Sequence, residues 1–75
     1  MAHTTQTLIE RLSQEREELS VKATKLSAFI LDDPAYKELT PAYRYAVNQR
    51  YKAQCLYLDA LDQRLELVVA DNVEA

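Results

Sequence analysis

The sequence predicts an all-α chain, an antiparallel two-helix hairpin with a short helical corner, self-associating into a helical bundle. Three observations carry this reading. The 75 residues include no Gly and two Pro, and the strong helix formers Ala, Leu, Glu, Gln, Lys and Arg dominate. Apolar residues recur at heptad spacing in both halves of the chain. The two prolines stand mid-chain, as Asp33-Pro34 and Thr40-Pro41, each behind a residue suited to capping a helix.

Helix 1 is predicted over about 5–31. Thr7-Leu8-Ile9-Glu10 has capping-box spacing, with Thr4 and Thr5 as alternative caps. Ile9, Ala23 and Ile30 fall at heptad a and Leu12, Leu19 and Leu26 at d, while Leu8 and Phe29 widen the stripe. Arg16 takes the a position between Leu12 and Leu19. The corner covers 32–40, with a single helical turn after Pro34 and with Tyr36 and Leu39 packed beneath it. Helix 2 is predicted over about 41–69, its stripe being Val47, Tyr51, Leu58, Leu61, Leu65 and Val68, with Arg44 and Gln54 as polar members. The hairpin domain is placed at 7–69, with flexible tails at 1–6 and 70–75.

A chain of this length buries only about 60% of its unfolded surface, so a lone core is marginal. One Cys makes no internal disulfide, and one His with one Cys makes a poor zinc site. A second copy is therefore the expected support: a dimer of hairpins forming a four-helix bundle, with hexamers or larger rings as other closed solutions. Arg16 is expected to fix register or oligomer state through a salt bridge, with Glu15, Gln54, Tyr57, Asp59 and Asp62 as candidate partners at its height, or else to hold an anion. Leu12, Leu19, Leu26, Leu58, Leu61 and Leu65 form the packing seam.

The net charge of -3 is unevenly spread. Between Lys22 and Lys52 six basic residues face three acids, a local +3, and the remainder carries three basic residues against nine acids, -6. Folding the hairpin makes the corner end basic and the open end acidic. Four of the five tyrosines, Tyr36, Tyr43, Tyr45 and Tyr51, lie at the basic end. Aromatic faces stack on bases while Arg and Lys hold phosphates. Arg44, Asn48, Tyr51 and Lys52 share one helix face, with Tyr45 and Gln49 beside it. Together with Arg50, Lys22 and Lys25 they form a candidate pocket for an anionic, base-containing ligand. The alternative is a solvated face whose tyrosines pack the corner.

Other classes are poorly supported. Without Gly there is neither a P-loop nor a dinucleotide fingerprint. Cys55 lacks a nearby His, and Glu-x-x-His motifs are missing, so an enzyme, a metal and a cofactor are not expected. The overall negative charge argues against duplex DNA. The run Leu67 to Ala70 is too short to span a membrane. Met1 to Thr5 lacks the basic and apolar regions of a signal peptide, so the expected setting is a cytosol with Cys55 reduced.

The segments Glu10-Arg11-Leu12, Glu15, Glu18-Leu19, Lys22, Lys25-Leu26 and Phe29-Ile30, then Tyr36 and Leu39, then Gln49, Tyr57-Leu58, Leu61 and Arg64-Leu65 carry a resemblance over roughly residues 8–67. The chain resembles a family of short bacteriophage proteins related to one gene product of a crAss-like phage. Ala42 to Ala46, with its two tyrosines, is richer in aromatics than that family. The resemblance implies a phage origin and the cytoplasm of an infected host. It supplies neither an activity nor site residues. Some small phage proteins built as oligomeric helical hairpins act as sponges for cyclic nucleotide signals, which this chain matches in architecture. The expected functions are sequestration of such a signal, inhibition of a host defence or replication protein, or self-association alone.

Overall fold

A computed structural model describes the backbone of residues 2–74 and the side chains of residues 5–70. It contains α1 (Ala2–Asp32), α2 (Pro34–Glu38) and α3 (Pro41–Glu74), and no strand among the described residues. α1 packs along α3 and α2 rests against the end of α1. The molecule is a rod of 53 × 15 × 14 Å. Its radius of gyration is 16.7 Å, against about 11 Å for a compact chain of this length.

The two long helices run beyond the ends expected near residues 5 and 69. Neither end carries a Pro or Gly, and once a helix exists each further residue adds a hydrogen bond without a new nucleus. Part of the segments expected as tails lies outside the described residues, namely Met1, Ala75 and the side chains of residues 2–4 and 71–74.

Two capped prolines build the corner. The Asp33 backbone is extended (φ -88°, ψ 121°), and its carboxylate accepts from the Ala35 N–H, with Pro34 opening α2. That bond is 2.9 Å. Leu39 returns to extended backbone (φ -70°, ψ 151°) and ends α2. Thr40 Oγ1 accepts from the Tyr43 N–H at 3.2 Å, which caps α3. No described residue takes a positive φ, so the chain turns without needing Gly. Phe29 and Tyr36 meet edge to face, their ring centroids 5.9 Å apart. The Tyr36 hydroxyl accepts from Asn48 Nδ2 at 2.6 Å, tying α2 to α3.

The core is thin. Among the described residues, Leu12, Ala23 and Leu61 are the buried apolar ones. The other seam residues, Ile9, Leu19, Leu26, Ile30, Val47, Leu58, Leu65 and Val68, are half-buried. The cause is geometric: in a hairpin each apolar stripe meets a single neighbouring helix.

Candidate functional site

Charge and aromatic surface converge in a groove between α1 and α3. Lys22, Lys25, Leu26 and Phe29 line it from α1, and Arg50 and Gln54 from α3, around a cavity of about 300 Å³. Helix periodicity explains the set. Lys22, Lys25 and Phe29 stand at i, i+3 and i+7, and Arg50 and Gln54 at i and i+4, so each group lies on one side of its helix. The groove has three cations and no carboxylate in its lining. Its volume lies at the small end of the range for ligand pockets, ~300–1,000 Å³.

Gln54 Oε1 is buried and has no hydrogen-bond partner. A buried carbonyl oxygen left unpaired costs about 1–3 kcal/mol. That oxygen is closed to solvent. The three cations of the groove would gain from phosphate oxygens, and Phe29 supplies an apolar face beside them.

The groove has neighbours at each end. Towards the corner, sharing Lys25 and Phe29, a wider hollow of about 530 Å³ is bordered by Asp32, Asp33 and Pro34. Its two carboxylates disfavour an anion, and Asp33 already caps α2. Towards the open end, sharing Lys22, a hollow of about 180 Å³ is lined by Glu15, Glu18, Leu19 and Tyr57. There the Tyr57 hydroxyl donates to Glu15 Oε1. This hydrogen bond, and then the carboxylate charge, hold the Tyr57 phenol above its ordinary pKa.

The structure groups some of the sequence-predicted residues and separates others. Lys22, Lys25 and Arg50 share the groove. Asn48 is engaged at the corner, where Nδ2 donates to Tyr36 and also to the Arg44 carbonyl at 3.0 Å. Tyr51 lines a separate hollow with Thr24, Ser27, Cys55 and Leu58. Arg44 is half-buried, while Tyr45 and Lys52 are exposed. Of the seam residues, Leu12 and Leu61 are buried, and Leu19, Leu26, Leu58 and Leu65 are half-buried. Arg16 bonds Asp62 across the hairpin.

Phe29 and Gln54 were read from the sequence as members of the apolar stripes, and the structure shows them bordering the groove. The available signal was the Lys22, Lys25, Phe29 spacing, which puts an aromatic one turn beyond two lysines.

Cys55 is free and half-buried, and the His3 side chain lies outside the described residues. Among the described residues no cluster of three or more His, Cys, Asp or Glu side chains is placed to hold a metal. Among them, too, no helix is long and apolar enough to cross a membrane.

No curated protein and no solved structure matches the chain. The model of one family, Sequestin, matches residues 6–67, which take in the corner and most of both long helices. The chain belongs to the Sequestin family.

Proposed function

We propose that this chain is a non-enzymatic sequestering protein that binds an anionic nucleotide signal in the Lys22–Lys25–Arg50 groove. The observation that carries the reading is the joint placement of three cations and an aromatic ring, with no carboxylate, around one groove. The planar fork of Arg50 suits a phosphate held through two hydrogen bonds, and the two lysines add charge. Phe29 offers a stacking face for a base, a contact worth about 1–3 kcal/mol in single-strand binders. The family name itself denotes sequestration.

The thin core supports a homo-oligomer, a dimer before a hexamer, since each hairpin leaves apolar surface uncovered. The resemblance to short phage proteins extends the proposal to biology. The protein would act in the cytoplasm of an infected bacterium and blunt host defence by lowering the free concentration of a cyclic nucleotide.

Native mass spectrometry of gently purified protein, alone and with a panel of cyclic and linear nucleotides, tests this. The expected result is an oligomer carrying one nucleotide mass per groove. An oligomer that takes up no nucleotide would contradict sequestration of this ligand class and leave a host protein as the target.

A further inference from the structure

α3 has a second apolar stripe that α1 does not touch. Tyr45, Leu56 and Leu67 are 66%, 70% and 67% exposed. They are spaced by eleven residues, close to three turns at ~3.6 residues per turn, so they line up along one side. Gln49, Ala53, Ala60 and Gln63 fall on the same side and are exposed. Leu56 stands two residues from the seam residue Leu58, about 200° around the helix. A helix apolar on both sides belongs inside an assembly rather than at its surface.

The pattern is symmetric about Leu56. Reflecting the numbering through that residue exchanges Tyr45 with Leu67, Gln49 with Gln63, and Lys52 with Ala60, which adjoins Asp59. We propose that the outer face of α3 binds a second copy of this chain, antiparallel, about a two-fold axis at Leu56. It rests on the self-association in the proposed function and is independent of the ligand. Leu56 then meets Leu56 of the partner subunit, Tyr45 packs on Leu67 of the partner subunit, and Lys52 lies beside Asp59 of the partner subunit.

Two further observations favour this occupant. The first is charge. The corner half of the chain carries +3 and the remainder -6, so antiparallel pairing sets the basic half of each copy on the acidic half of the other, whereas parallel pairing opposes like charges. The second is area. The chain exposes 5909 Å², against about 4,700 Å² for a compact monomer of its mass. The excess of roughly 1,200 Å² is larger than the ~800 Å² each partner contributes to a standard interface. The groove opens between α1 and α3, so this pairing leaves it accessible.

Disulfide trapping in a Cys55→Ser background tests the proposal, with oxidised glutathione as oxidant. Tyr45→Cys and Leu67→Cys proteins are prepared separately, then mixed and oxidised. In the antiparallel dimer the two copies of either residue lie ~33 Å apart. Each protein alone should stay unlinked, and the mixture should give a covalent heterodimer. Covalent homodimers of either variant, or no link in the mixture, would overturn the proposal. In sedimentation velocity the unmodified chain should be a dimer and Leu56→Glu a monomer with unchanged helical circular dichroism. A monomeric unmodified chain, or a Leu56→Glu dimer, would overturn it equally. If Leu56→Glu fails to fold, the trapping result decides alone. Loss of nucleotide binding with the trapping pattern intact would count against the ligand reading, not against this interface.

Discussion

Arg16 donates from Nε to Asp62 Oδ1, joining the single charged a position of α1 to a residue 46 positions further along the chain. The hydrogen bond, and then the carboxylate charge, raise the Arg16 pKa further above its ordinary value. Both side chains remain about two-fifths exposed, at 41% and 43%, so water and salt screen the pair. We propose that the pair sets which turn of α1 meets which turn of α3. Arg16→Ala and Asp62→Ala should each lower the urea midpoint slightly, and less at high salt. The swapped pair Arg16→Asp with Asp62→Arg should recover most of the loss. A swap no better than either single change would show that the contact does not fix register.

Leu61 is fully buried, at 0% exposure, in a core with few other members. Leu61→Ala should cost about 2–5 kcal/mol, the range for buried Leu truncations, enough to abolish a cooperative melt in a small helical rod. Val21→Ala, at a site 44% exposed, should change stability by no more than ~0.5 kcal/mol. Urea unfolding followed by circular dichroism separates the two. Equal effects would mean the seam contributes no more than the surface.

The corner was legible because its chemistry is local. Asp33-Pro34 and Thr40-Pro41 specify caps and first-turn positions within a few residues, and both caps form. The long helices were legible from heptad spacing, although their ends were not, since no residue there forces a stop. The groove was only partly legible. Lys22, Lys25 and Arg50 could be named, but their convergence depends on the rotation of α1 against α3, which no local motif encodes. Asn48 looked available on its helix face, yet it is engaged by Tyr36, a contact across the corner. The Tyr45–Leu56–Leu67 stripe was hidden because a heptad reading follows the seam and passes over an eleven-residue spacing on the far side.

Thr40 is the cap on which the return helix depends. Its Oγ1 accepts from the Tyr43 N–H and its carbonyl from the Arg44 N–H at 2.9 Å. Thr40→Ala should destabilise the chain by about 1 kcal/mol, as cap removal does elsewhere, and Thr40→Ser should be nearly neutral. Thermal melts of the two variants give the comparison. An equal loss for both would rule out the hydroxyl as the source of the effect.

Tyr57 predicts a dependence on alkaline pH. Its hydrogen bond to Glu15 raises the phenol pKa above the ordinary value of 10.0. Below that value the phenol is protonated in the folded and unfolded chains alike, and the bond contributes fully. As pH rises through the higher folded value, that contribution is lost. Relative to Tyr57→Phe, the unmodified chain should be more stable near neutrality, with the difference shrinking as pH climbs above 10.0 through the higher folded value. A stability difference that stays constant across this range would mean the hydroxyl makes no such bond in solution.

Calorimetric titration with the nucleotide panel asks whether Lys22, Lys25 and Arg50 form an anion-binding groove. The unmodified chain should bind a nucleotide with an affinity that falls as salt rises. Arg50→Ala together with Lys22→Ala should weaken binding at least ~100-fold, as expected when charge-assisted hydrogen bonds worth ~1.5–3 kcal/mol each are removed. Circular dichroism should show the helices of the double variant intact. Unchanged nucleotide affinity in that folded variant would contradict the assignment of the groove.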